Sequence, residues 1–475
     1  MESEINKESC FLGTFIHTPT LGSLEILEDH LLLADSQGYI SFFGPQSSKA
    51  AIDILNRHFP AGNKHVLPPS SFFLPSFSDL HIHAPQYLYA GTGLDLPLME
   101  WLERYAFRAE QRIDGDKELA ERVYERLGRR MIEVGTGAAL VFGTINTESN
   151  LILARTFLKL GIRGYIGKLS MDQNSPATYT ETTASNALSA ASTFIDSIRS
   201  LNEPNNALSV HPVITPRFVP TCSDELLQGL GKLREEKGVR VMSHMCEARD
   251  QVDWVKATRD DVEDVEIFKH TGLLESSVQA HCTFLTPENI ELISHTNTAV
   301  AHCPLSNAYF SSKTFPLREC LDKNIHVGLG SDIAGGYQLD LQTQMRQAVV
   351  ASRLRDSQLK ENALGHPRGQ ENEPKLKDLR SSWKESLYMA TRGGALALAD
   401  PNVGGRFKVG EAFDAQSIEL LDPQTNEGTG ALDFFDVDAV KGSVSLGWEE
   451  MIERWWCVGD VRNRKGLWVQ GRQLL

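Results

Sequence analysis

No Cys-x-x-Cys pair occurs in this chain, and its seven cysteines (Cys10, Cys222, Cys246, Cys282, Cys303, Cys320 and Cys457) are odd in number and scattered. That pattern argues against a disulfide framework and reads as reduced thiols, so a cytoplasmic location is expected. Cys282 and Cys303 each follow a histidine, but neighbouring strand residues face opposite sides, so both read as packing residues. No basic-plus-apolar leader opens the sequence, no apolar run is long enough to cross a bilayer, and the final Gln-Leu-Leu is not a peroxisomal address. Positive charge is in deficit, with 47 Lys and Arg against 62 Asp and Glu for a net charge of -15. Such a surface repels polyanions and anionic membranes, so neither nucleic acid nor a membrane is the expected partner. No internal repeat or extended low-complexity run is apparent.

What is present is a normal globular composition, 41% hydrophobic and 23% charged, over 475 residues. Short β patterns occupy 12–17, 24–33 and 39–43 and return at 413–418 and 467–469, with Gly, Ser and Asp turns between them. Between these flanks, eight apolar strand runs end near residues 83, 144, 167, 214, 244, 281, 302 and 331. Helical periodicity fills most gaps, as at 119–134 and 287–295. The alternation predicts an α/β fold, a (β/α)8 TIM-like barrel, with a small β-sandwich domain built from both termini. The expected divisions are 1–70 for the first part of the β domain, 71–400 for the barrel and 401–475 for the return to the β domain. Residues 355–380 are charged, hold Gly365, Pro367 and Pro374, lack core periodicity, and read as a mobile surface insertion.

The chemistry gathers at the ends of the strand runs, where barrels place it. Phe77-Ser78-Asp79-Leu80-His81-Ile82-His83 follows Phe72, Phe73 and Leu74, and the whole reads as one buried strand. Alternation turns His81 and His83 to the same face, giving two nitrogen ligands for a borderline metal such as zinc. His244 ends the fifth run, His281 the sixth, and Gly330-Ser331-Asp332 the eighth. Three or four imidazoles and a carboxylate at separate strand ends describe a metal site with an open position for water. Glu247, three residues past His244, is placed to shuttle protons.

These residues sit inside longer runs: His81-Ile82-His83-Ala84-Pro85-Gln86-Tyr87, Ala90-Gly91-Thr92-Gly93-Leu94-Asp95-Leu96-Pro97, Glu110-Gln111-Arg112 and Thr215-Pro216-Arg217-Phe218. Ser243-His244-Met245-Cys246-Glu247, Ala301-His302-Cys303-Pro304 and the stretch Val327-Gly328-Leu329-Gly330-Ser331-Asp332-Ile333-Ala334-Gly335-Gly336 follow in order. The sequence thereby resembles the amidohydrolase superfamily, in its triazine-hydrolase-like branch, and within it the guanine deaminases. His-x-His and the Ser-Asp strand end mark the superfamily; His-Ala-Pro-Gln-Tyr and Thr-Pro-Arg-Phe are specific to the narrower group. The resemblance implies one zinc ion per subunit on His81, His83, His244 and Asp332, with His281 orienting the zinc-bound hydroxide. It implies guanine contacts from Gln86, Arg217 and Phe218, and a homodimer. Leu305 departs from the polar residue expected after His-Cys-Pro, and the 355–380 stretch is unusually long.

The implied reaction is hydrolytic deamination of guanine, a small purine base, to xanthine and ammonia in purine catabolism. Zinc lowers the pKa of water from about 15.7 to about 7. Asp332 then accepts the attacking water's proton, while Glu247 protonates ring nitrogen 3 and afterwards the leaving amine. Arg217 offers only donors, which suit the carbonyl at position 6 of guanine and not the amino group of adenine. Lys168 resembles the bridging lysine of two-metal relatives, but the fourth run leads to Thr215-Pro216-Arg217 without a lysine, so one metal is expected. Two other readings stay open: deamination of another aminated heterocycle, such as 8-oxoguanine, a pterin or a triazine, and a non-enzymatic scaffold on the same fold.

Overall fold

The computed structural model describes residues 8–58, 64–202, 210–364, 377–434 and 446–475. Eight parallel strands run in sequential spatial order: β6 (Phe77–His83), β7 (Thr136–Phe142), β8 (Arg163–Ser170), β9 (Val210–Pro216), β10 (Arg240–Met245), β11 (Val278–His281), β12 (Ala299–His302) and β13 (Val327–Leu329). Their residues are almost all buried, as expected where helices cover the outside and side chains fill the inside. Leu80, Leu140, Tyr165, Val213, Met242 and Val278 pack within one cluster. The round closes at the C-terminal ends of β6 and β13, where Asp332 N–H donates to the His81 carbonyl (2.8 Å) and His83 N–H to the Ile333 carbonyl (3.0 Å).

Helices between strands follow local signals. The Lys117–Glu133 helix is capped by Asp116, whose carboxylate accepts the Leu119 N–H. Thr147–Leu160 starts at the Asn146 cap and stops at Gly161, whose φ of 85° is the left-handed turn a helix end asks of glycine.

The remaining strands form one mixed sheet drawn from both termini: β1 (Ser9–His17), β2 (Glu25–Ala34), β3 (Ile40–Pro45), β4 (Lys64–Val66), β5 (Ser71–Pro75), β14 (Ala415–Glu419), β15 (Arg464–Val469) and β16 (Arg472–Gln473). The two layers expected of a sandwich are thus joined in a single hydrogen-bonded sheet. Phe11, Phe15, Phe73, Phe413 and Trp468 share one core on it.

Two expectations need correction. Residues 72–74 are not the start of the His-x-His strand. They lie in β5, which pairs with β1 and β14, and the chain changes sheets at Pro75-Ser76. Ser76 N–H still bonds Asp414 of the β domain (3.1 Å), while Phe77 N–H bonds Gly135 of the barrel (2.9 Å). Two abutting apolar runs cannot be told from one by hydropathy alone. The second concerns the stretch read as an insertion. Its first part, 355–364, is the end of the helix Leu341–Leu364, and 365–376 lie outside the described residues. Over 355–362 that helix end is largely exposed and is held by charge pairs, Lys360 with Asp356 one turn away (2.6 Å) and Arg355 with Glu319, so local hydropathy does not betray it. Asp356 also accepts the Leu379 N–H (3.0 Å), tying down the returning chain.

A buried ion pair fastens the two sheets. Arg163, at the start of β8, donates to Asp414 (2.6 Å) and Gln470 (2.7 Å), with the arginine 1% and the aspartate 6% exposed. Asp414→Ala strands that guanidinium and should cost about 3–5 kcal/mol. Adding Arg163→Met should recover much of the loss. Urea unfolding of the two variants checks this, and equal instability of single and double would disprove the clamp.

Candidate active site

His81 and His83 end β6, His244 lies on β10, His281 ends β11, and Asp332 follows β13. All five side chains are 0–6% exposed. His83 Nε2 lies 3.0 Å from His244 Nε2, and His81 Nε2 3.2 Å from Asp332 Oδ1. His83 Nε2 is 3.5 Å from the same oxygen, and His281 Nε2 is 3.8 Å from Asp332 Oδ2. His81, His244 and His281 form one group, and His81, His83 and Asp332 another, whose ligand atoms lie within 4.8 Å of one another.

The backbone is bent to make this convergence. His281 (φ 68°), Cys282 (53°), Cys246 (51°) and Asp332 (49°) all take left-handed conformations that residues with a Cβ adopt only where the surroundings enforce them. Asp79, fully buried below the site, accepts the N–H groups of both His81 (3.1 Å) and Ser331 (3.0 Å), locking the first and last strands to each other. Gly330 must lack a side chain, since a Cβ there would sit 2.7 Å from His81 Cβ.

The donor chemistry fits a metal cation. His244 Nδ1 donates to the Arg217 carbonyl (2.6 Å), leaving Nε2 as a lone pair facing the His83 Nε2. His281 Nδ1 donates to Asn307 Oδ1 (2.9 Å), leaving its Nε2 without a hydrogen-bond partner, as is His81 Nε2. Burial, reinforced by neighbouring cationic groups, pushes the pKa of His81, His83 and His244 well below the ordinary imidazole value, which favours the neutral form able to bind a metal. Inward lone pairs of buried neutral imidazoles beside a carboxylate are what a divalent ion satisfies.

Glu247, 5% exposed, brings Oε1 to 3.6 Å from His281 Nε2. Burial, then the charges of Asp332 and Asp250, raises its pKa well above the ordinary carboxyl value. Gln86, Arg217 and Phe218 line the same recess, together with His83, His244, Glu247 and Asp332. Leu98, Trp101 and Phe310 supply apolar wall. Every site residue expected from the sequence therefore gathers at one place.

Lys168 does not: its ammonium is taken by Glu181 (2.7 Å) and the Leu169 carbonyl (2.8 Å). Leu305 is buried at 5% exposure. Cys282 and Cys303 are buried thiols, as read. Sequence reasoning missed Asp79, Asn307 and Glu110. Glu110 is wholly buried, with both carboxylate oxygens on Arg217 Nη1 (2.7 and 3.0 Å) and Oε1 also accepting from Gln86 Nε2 (2.9 Å). Its only signal was an acid in the Glu-Gln-Arg run.

Fold and site together define a metal-dependent hydrolase of the barrel type, and the comparisons agree. The amidohydrolase family model matches residues 72–462, and the chain belongs to that family. Relatives matched along nearly its whole length are guanine deaminases. That of Dictyostelium discoideum is 35% identical over 98% of this chain and 97% of its own. That of Homo sapiens is 33% identical over 98% and 96%. Among solved structures, the guanine deaminase of C. acetobutylicum with bound guanine superposes with a TM-score of 0.84 at 28% identity, covering 99% of this chain and 100% of the other.

Two outcomes test the centre. His83→Ala should abolish bound metal, whereas Asp79→Ala, which touches no ligand atom, should weaken metal affinity about 10–100-fold. Because burial lowers the three imidazole pKa values, protons compete poorly with metal at pH 6, and metal content should fall only in more acidic buffer. Elemental analysis across pH reads both; loss of metal already near pH 6.5 would contradict the burial argument.

Proposed function

We propose that the chain is a zinc-dependent guanine deaminase, converting guanine and water to xanthine and ammonia. The observation that carries this is the shared recess: Glu247, Arg217, Gln86 and Phe218 face the same small volume as His83, His244 and Asp332. His81, His83, His244 and Asp332 would hold a single ion in each subunit, whose Lewis acidity makes water nucleophilic near neutral pH.

The chain's own groups divide the proton work. Asp332 takes the proton of the water that adds to carbon 2. Glu247, whose pKa burial raises well above the ordinary carboxyl value, donates to ring nitrogen 3; it then relays the proton of the added hydroxyl to the amine as the carbon–nitrogen bond breaks, and the proton held by Asp332 returns to it for the next turnover. His281, steadied by Asn307, orients the nucleophile. Arg217 donates to the carbonyl at position 6, Gln86 reads the base edge, and Phe218 with Trp101 walls the ring. Adenine, with an amino group at position 6, leaves the arginine facing another donor.

The same reading extends to surroundings. Six buried free thiols suit a reducing cytoplasm. No helix among the described residues is long and apolar enough to cross a membrane. A homodimer and a place in purine catabolism, which the sequence resemblance implies, complete the proposal.

The deciding assay is a substrate panel of guanine, 8-oxoguanine, a pterin and a triazine on the metal-loaded protein. Guanine should be fastest, and negligible turnover of it beside a rapid alternative would overturn the assignment. Turnover of none would favour the scaffold. Glu247→Gln should keep its metal and lose at least about 100-fold in kcat. For Arg217, removal alone leaves the Glu110 carboxylate buried without its counter-charge, so the cleaner variant is Arg217→Met with Glu110→Gln. It should retain metal and lose guanine turnover.

A further inference from the structure

Among the described residues, Arg217 is the one cation lining the recess, and the other lining charges are the carboxyls of Glu247 and Asp332. Behind it, Glu110 lies at 0% exposure and makes no contribution to the lining surface. Both of its oxygens engage a single nitrogen of Arg217, at 2.7 and 3.0 Å. One of them also holds Gln86 Nε2 at 2.9 Å, which directs the Gln86 carbonyl toward the Ala334 N–H (3.4 Å). The Arg217 guanidinium also lies over the Phe107 ring, 4.9 Å from its centre, which adds a second contact that holds it in place. A buried carboxylate is costly, and only an ion pair with further hydrogen bonds offsets it.

We propose that Glu110 is a positioning and specificity residue: it cancels the charge of Arg217, so that the arginine end of the recess offers hydrogen-bond donors without an uncompensated positive charge of its own. This rests on the guanine deaminase reading. Guanine is uncharged near neutral pH, whereas xanthine loses a proton far more readily, so substrate and product differ in charge as well as in one substituent. An arginine without a counter-charge would hold an anionic product against release. With Glu110 in place it grips a carbonyl and gains little from a negative ring. The acid therefore favours turnover by sparing the enzyme its own product. Gln86 and Arg217 share that one carboxylate, so the two side chains that read the base are also set relative to each other.

The test uses the metal-loaded protein and two uncharged-or-anionic probes that both carry the carbonyl at position 6. Near pH 8, xanthine is mostly its monoanion and hypoxanthine mostly neutral. In Glu110→Gln, xanthine inhibition should tighten at least about tenfold relative to hypoxanthine inhibition. A merely structural role would weaken both inhibitors together, and an unchanged ratio would overturn the proposal. Should that variant not fold, Glu110→Asp keeps the charge but draws it away from Arg217. Its ratio should shift in the same direction by a smaller amount, and no shift would again overturn the idea. Direct calorimetric binding of both probes to the wild type and variants separates this from the reaction itself. If the wild type fails to deaminate guanine, the proposed function falls, while the xanthine-to-hypoxanthine ratio still decides the role of Glu110.

Discussion

The structure depends on holding basic nitrogen atoms against one another in a dry place. His83 Nε2 and His244 Nε2 lie 3.0 Å apart, and His81 and His281 aim unpartnered Nε2 atoms into the same space. Without a cation, such an arrangement is repulsive and poorly solvated. The protein meets the cost with geometry: left-handed backbone at His281 and Asp332, a glycine where a Cβ would strike His81, and Asp79 bridging the backbones of the first and last barrel strands. The second hydrogen bonds of His244 and His281 go to the Arg217 carbonyl and to Asn307. These fix which nitrogen points inward, so ligand orientation is decided before any metal arrives.

The same dryness governs the acids. Asp79 is pushed up to about 7 by burial, Asp332 is raised, and Glu247 is raised further by burial together with Asp332. Two neighbouring carboxyls whose proton affinities differ suit the division of labour of a hydrolytic deamination. Burial thus serves two ends. It disfavours the charged form of the histidines, and it raises the proton affinity of Glu247.

How much of this was legible depended on how local each signal is. The eight barrel strands and the helices at Lys117–Glu133 and Pro287–His295 were visible because apolar runs and their periodicity are properties of short windows. The convergence of His81, His83, His244, His281 and Asp332 was visible because strand ends are recognisable and barrels place chemistry there. What escaped depended on contacts between distant segments. Glu110 lies 107 positions before Arg217, and nothing in its own run says that it will be wholly buried against it. Asp79 was quoted as part of a strand, but its bond to Ser331 spans 252 positions. The switch of sheets at Pro75 and the largely exposed helix end at 355–362 escaped for the opposite reason, since there the local pattern pointed elsewhere.

The buried pairs show why distance in sequence matters to function. Arg163 with Asp414 and Arg217 with Glu110 each tie two separate parts of the chain by charges that water cannot reach. Neither pair is efficient as a source of stability, because desolvation consumes most of the attraction. Their value lies in direction. An apolar contact tolerates small slips, whereas a guanidinium facing two carboxylate oxygens fixes distance and orientation together. At the base of the barrel that precision sets the β domain against β8. At the recess it sets Arg217 and Gln86 relative to each other, and on the proposed function a slip of an ångström there would cost specificity as well as rate.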